Sequence, residues 1–337
     1  MSRLLFGFLI LSGLLCSRPG STAEFDYLPD HPGTASAVLE ASNCVVHGLG
    51  PAESKAYLGN LARLRDLLLQ QPTFQPPRGV RVRGTFRADD EPAASRAAPV
   101  PGYGTLRFFP CFADSKTKEP VFFNETTDEV VAYVNQSTGG LEPFNCPECD
   151  AHWYYEPRRT GEIDGDPVYR GPLGCEHIVL GRDRSAPWVP VTREEYVRVW
   201  IRVWEKQNAR NPQDMFKQMI ARHQEALAAM SPEERREQAR YGGTEDPFAP
   251  ALAPAGSTEG LPLVKAGSDW YDPALPRTAI QLVLVKFWYS GEIDADHPAP
   301  TEYGQVSPLR VWEALHHSKW TEVAAVLASR PSPAAGR

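Results

Sequence analysis

Ala279-Ile280-Gln281-Leu282-Val283-Leu284-Val285-Lys286-Phe287-Trp288-Tyr289 is the most apolar run of the chain after its first residues. Its apolar residues, several of them β-branched, follow one another instead of alternating with polar ones. A strand with one wet face alternates, whereas a strand covered on both faces does not. The run therefore predicts a central strand over 279–289, and the rest of the chain must supply its neighbours and its two covers.

Working outward, Trp312, Leu315, Val323 and Val326 predict a C-terminal helix over 308–329, either continuous or split near Ser318. Residues 241–265 are rich in Gly, Pro and Ala with scattered acids, and read as a loop. Residues 192–240 are helical. Thr192 and Glu195 form a capping-box pattern, Tyr196, Trp200 and Trp204 share one face, and Asn211-Pro212 restarts a helix. That second helix carries Met215, Phe216, Met219, Ile220, His223, Leu227 and Met230 as a stripe, and Ser231-Pro232-Glu233-Glu234 signals a third, short one. Residues 79–180 are β-rich, with apolar and aromatic runs at 103–112, 121–123 and 130–134 punctuated by Gly, Pro, Asn and Asp. Asp89 to Pro101 reads as a long exposed loop. Leu58, Leu61, Leu64 and Leu68 make an apolar helical face over 51–71, opened by Pro51, and residues 24–50 read as loop.

The central strand lies far in sequence from the first β-rich block. This favours one α+β domain over 24–337: a mainly antiparallel sheet with an inserted helical segment and a C-terminal helix.

Residues 1–23 have the layout of a secretory signal peptide: Arg3, an apolar run from Leu4 to Leu15, and Ser21-Thr22-Ala23 at the cleavage position. The run is too short to span a bilayer, which takes about 20 apolar residues. A lipid anchor at Cys16 is disfavoured by Leu14 and Leu15, where a small residue would precede a lipidated cysteine. The signal carries Arg3 and Arg18 and no acid, so the remainder is two charges more negative than the −7 of the whole chain. That balance, with no basic cluster beyond the spaced Arg78, Arg81, Arg83 and Arg87, argues against a nucleic-acid partner. No second apolar run reaches membrane-spanning length. The expected destination is secreted or periplasmic.

An oxidising destination makes disulfides the first reading of Cys44, Cys111, Cys146, Cys149 and Cys175, with at least one thiol left over. The rival is zinc. Cys146-Pro147-Glu148-Cys149 resembles a zinc-ribbon knuckle, and Cys175 with His177 would complete four ligands. Asp150 replaces the usual glycine after the knuckle, and Cys175-Glu176-His177 is cramped for two ligands to one ion. A redox role for the C-x-x-C lacks a strand-then-helix context. No other cofactor is indicated.

Gly161-Glu162-Ile163-Asp164-Gly165-Asp166 recurs as Gly291-Glu292-Ile293-Asp294-Ala295-Asp296. An EF-hand needs a Glu eleven residues after its first Asp, and Cys175 and Gln305 stand there, so both stretches read as acidic turns. His152, Glu176 and His177 are the catalytic candidates of a hydrolase reading, but no G-x-S-x-G or H-E-x-x-H accompanies them. Trp153 and Tyr155 are candidates for lining a sugar or peptide groove. Asn124-Glu125-Thr126 and Asn135-Gln136-Ser137 are glycosylation sequons.

The favoured expectation is a non-catalytic binding protein with disulfide staples, its partner unidentified. The alternative hydrolase would bring Glu176, His177 and a further acid together in a concave pocket.

Overall fold

The computed structural model describes residues 26–41, 43–90, 93, 95, 97–146, 150–289 and 306–328. The signal (1–23), Cys149 and the second acidic repeat (291–296) lie outside the described residues.

In chain order the strands are β1 (Asp26–Tyr27), β2 (Ala35–Leu39), β3 (Val80–Ala88), β4 (Gly102–Ala113), β5 (Pro120–Phe122), β6 (Glu129–Val134), β7 (Tyr154–Tyr155), β8 (Arg158–Ile163), β9 (Asp166–Arg170), β10 (Glu176–Gly181), β11 (Trp188–Pro190), β12 (Arg240–Tyr241), β13 (Leu261–Ala266) and β14 (Leu282–Trp288). The helices are α1 (Pro51–Leu69), α2 (Arg193–Arg210), α3 (Asp214–Ala229), α4 (Pro232–Arg236), α5 (Val306–His316) and α6 (Trp320–Ala324).

Ten strands form one mixed sheet in the order β2-β3-β4-β6-β14-β10-β9-β8, with β1 and β5 both pairing with β4. β14 sits inside it, antiparallel to β6 and β10, with Val285 opposite Ala132 and Ile178. The class is α+β and the pairing is antiparallel except at β2–β3. That parallel pair exists because α1 lies between the two strands and returns the chain to the same end of the sheet.

Successive residues of β14 serve two cores. Val283, Val285 and Phe287 join Tyr57, Leu61, Leu64 and Leu68 of α1, Leu315 of α5 and Trp320 of α6. Phe287 meets Trp320 edge-to-face with ring centres 5.7 Å apart. Leu282 and Leu284 point the other way, to Val179, Tyr169, Trp188 and Val264. Val264 belongs to a second sheet, β11-β13-β12 with β7 also on β13. Its neighbour Leu263 faces away, into a core with Trp153 and with Tyr196, Val197 and Val203 of α2. Four layers result, running from α1/α5/α6 through the large sheet and the small sheet to α2.

Two expectations are corrected. Residues 24–50 are not simply loop, because they hold β1 and β2. The expected loop 241–265 contains most of β13, the middle strand of the small sheet; Pro262, which normally argues against a strand, stands near its start. The C-terminal helix takes the split form, two helices broken where the Ser318 hydroxyl donates to Ala314 O and the Trp320 indole donates to Leu315 O. The first acidic repeat is the β8–β9 hairpin turn, with Asp164 and Gly165 both at positive φ as a two-residue turn of this kind requires.

Phe287→Ala removes a fully buried ring from the main core and is expected to cost about 3–5 kcal/mol. Trp288→Ala, on a side chain 37% exposed, is expected to cost under about 1 kcal/mol. Urea unfolding of the two variants checks the difference, and equal costs would contradict the inward orientation of Phe287.

Candidate ligand-binding cleft

Beyond β6 the chain turns sharply at Asn135, whose φ is 55°. The Asn135 amide nitrogen donates to Val100 O at 2.9 Å and Ala279 O at 3.0 Å, and its oxygen accepts from the Gln281 and Leu282 amides. One small side chain thus satisfies four buried backbone groups on segments distant in sequence. Gln136 next to it donates to Asp89 Oδ2 at 2.7 Å and Gly102 O at 2.8 Å. The following turn closes on itself, Gly139 N donating to Gln136 O and Leu141 N to Thr138 O. Gly139 and Gly140 lie directly on the Tyr133 ring. A Cβ on Gly139 would come within 2.4 Å of that side chain, and Gly140 has a φ of +76°.

A second wall is the segment after β13. Gly267 N donates to Pro187 O, and the Asp272 amide and carbonyl pair with the Gln281 side chain. This fixes Trp270 and Tyr271, whose rings meet edge-on at 5.0 Å. Between the walls lies a cleft of about 670 Å³, lined among others by Tyr133, Tyr154, Trp270 and Tyr271, with Ser137, Thr138 and Ser268 at its polar positions. Among the described lining residues Asp89 is the only carboxylate, and none is Lys or Arg.

His152 lines this cleft and is exposed. Glu176 and His177 are neighbours on β10, so their side chains leave opposite faces of the sheet. Glu176 lies on the helical side, where it accepts from Arg170 at 3.1 Å and the Tyr289 hydroxyl at 2.9 Å, with His316 Nε2 at 3.8 Å. Burial works against its charge, but His316, Tyr289 and Arg170 outweigh burial and hold its pKa below the ordinary value. His177 is wholly buried beneath the cleft loop and donates from Nε2 to Gly140 O at 3.1 Å. Burial pushes its pKa down to about 4, so the ring is a neutral structural donor. Glu176 and His177 do not converge.

Trp153 and Tyr155 do not line the cleft either. Both rings pack on Phe144, and Trp153 stacks on Tyr196 at 5.6 Å. Tyr154, between them, has the opposite parity and faces the cleft. Of this aromatic segment it is Tyr154, and not the expected Trp153 and Tyr155, that borders the cleft.

Cys44, Cys111 and Cys175 are free and buried, which corrects their candidacy as disulfide partners. Cys146 is disulfide-bonded. Burial pushes the Cys175 thiol up to about 12. Among the described residues no three His, Cys, Asp or Glu side chains gather to hold an ion, so Cys146, Cys175 and His177 make no zinc set there. No helix among them is long and apolar enough to cross a membrane.

The cleft residues Tyr133, Trp270 and Tyr271 escaped the sequence reading. The one local signal was the small polar run Ser137-Thr138-Gly139-Gly140 directly after a strand. The chain matches no protein-family model, no curated protein and no solved structure.

His177 is neutral in the folded chain down to about pH 4, whereas in the unfolded chain it takes a proton near 6.5. Stability is therefore full above pH 6.5, falls as pH drops through that window, and levels below it, a loss on the order of 3 kcal/mol. His177→Gln is expected to remove most of this slope in urea unfolding followed from pH 7.5 to 4; an unchanged slope would place the titration elsewhere. In a second measurement, alkylation without reductant is expected to modify Cys44, Cys111 and Cys175 only after denaturation, as read by peptide mapping. Recovery of any of the three in a bridge contradicts the pairing described.

Proposed function

We propose that this chain is a secreted or periplasmic binding protein that holds a small ligand in the cleft without acting on it chemically. The observation that carries the reading is the convergence of Tyr133, Tyr154, Trp270 and Tyr271 with Ser137, Thr138 and Ser268 on one cleft whose walls are fixed by internal hydrogen bonds. Small-molecule sites of about 300–1,000 Å³ have this make-up, an aromatic lining with a few placed polar groups. The hydroxyls of Ser137, Thr138 and Ser268 have no hydrogen-bond partner among the described residues and are available to a ligand. The divergence of Glu176 and His177 weighs against the hydrolase alternative, which required them to meet. The leader-like residues 1–23 and the bridge at Cys146 support an oxidising destination, where burial shields the remaining thiols.

Thermal unfolding in the presence of sugars, amino acids and nucleosides tests the reading. A compound present at about a hundred times its Kd should raise the Tm by roughly 5 °C, and Trp270→Ala should abolish the shift. Conversion of the bound compound to product, followed by mass spectrometry, would overturn the claim that no chemistry occurs.

A further inference from the structure

We infer that the ligand is a short neutral saccharide, stacked on the aromatic wall of the cleft and hydrogen-bonded by its small hydroxyl side chains; this rests on the binding reading just given. The charge distribution carries the choice. A carboxylated or phosphorylated ligand entering the cleft would lose water and find neither Lys nor Arg among the described lining residues, a loss that is not offset when a charge is buried without a partner. A cationic ligand would find one carboxylate, Asp89, which already accepts from Gln136 at 2.7 Å.

What remains is an uncharged molecule with both an apolar face and many hydroxyls. Trp270 and Tyr154 are half-buried, so each ring is anchored in the protein and turns part of its surface to the cleft. The flat C–H face of a pyranose suits such a ring, since the electron-rich aromatic face attracts polarised C–H groups as it does the edges of other rings. Sugar hydroxyls both donate and accept, and so do Ser137, Thr138 and Ser268. A purely apolar ligand would leave those three hydroxyls unpaired when water is displaced, which is unfavourable. The cleft is also preformed. Asn135 and the Asp272–Gln281 pair fix its walls before any ligand arrives, so little ordering is required on binding.

The test is calorimetric titration of the full chain with cellobiose, maltose, lactose and chitobiose as neutral probes and digalacturonate as the acidic one. At least one neutral disaccharide should bind, and digalacturonate should bind at least about tenfold more weakly. Trp270→Phe should retain binding, whereas Trp270→Ala should lose at least about tenfold. Ser268→Arg, at an exposed position that leaves the core intact, should weaken the neutral ligand and narrow its margin over digalacturonate. Preference for digalacturonate overturns the inference. If no saccharide binds but an amino acid or nucleoside does, with the shift lost in Trp270→Ala, the saccharide assignment falls and the binding reading stands. If no compound of any class binds, both fall.

Discussion

β14 has to be covered twice. Its backbone is paired on both sides, by β6 and β10, and Leu282 to Val285 with Phe287 alternate between two cores that exclude water. Everything outward answers that demand. The helices α1, α5 and α6 close one face, and the small sheet, itself backed by α2, closes the other. The second cover is incomplete. It extends over Leu282 and Leu284, and then Lys286 stands opposite His177, where apolar packing gives way to the glycine turn at 139–140. The cleft opens beside that turn, where the small sheet stops shielding the large one.

Asn135 does for the backbone what the two covers do for the side chains. Strand β14 starts deep in the protein, and its first amides need partners that no neighbouring strand provides. A single amide side chain supplies them, together with donors for the carbonyls of Val100 and Ala279. The same residue begins the turn that lines the cleft. The cleft wall therefore inherits its rigidity from the core, through a residue whose side chain spends both polar atoms on structure.

How far this was legible in the sequence depended on how local each signal was. The run 279–289 announced a strand covered on both faces, and a run of β-branched residues has few other uses. The leucines of α1 and the capping pattern at Thr192 marked their helices as clearly, and Thr192 does accept from the Glu195 amide. The small sheet stayed hidden because its strands are short and its middle one carries Pro262. The parity of Trp153, Tyr154 and Tyr155 could not be read, because a two-residue strand has too little alternation to say which face is wet. The cleft was out of reach for a different reason: its walls, 135–140 and 266–271, are separated by more than 120 residues and neither forms a repeating pattern. The expected oxidising destination pointed to disulfides without saying which cysteines would face one another, and Cys44, Cys111 and Cys175 are each buried and free.

The two glycosylation sequons are not equivalent once Asn135 is seen in place. Asn124 is exposed in the turn after β5. The amide nitrogen of Asn135 is the atom a glycan would occupy, and it is already donating to two buried carbonyls. In a cell with an oligosaccharyltransferase, sugar attached to Asn135 during synthesis would deny β14 its partners and leave a chain unable to close its core. Choice of expression host therefore becomes a folding variable for this protein, and substituting Ser137 to erase the acceptor sequence while keeping Asn135 separates the two demands.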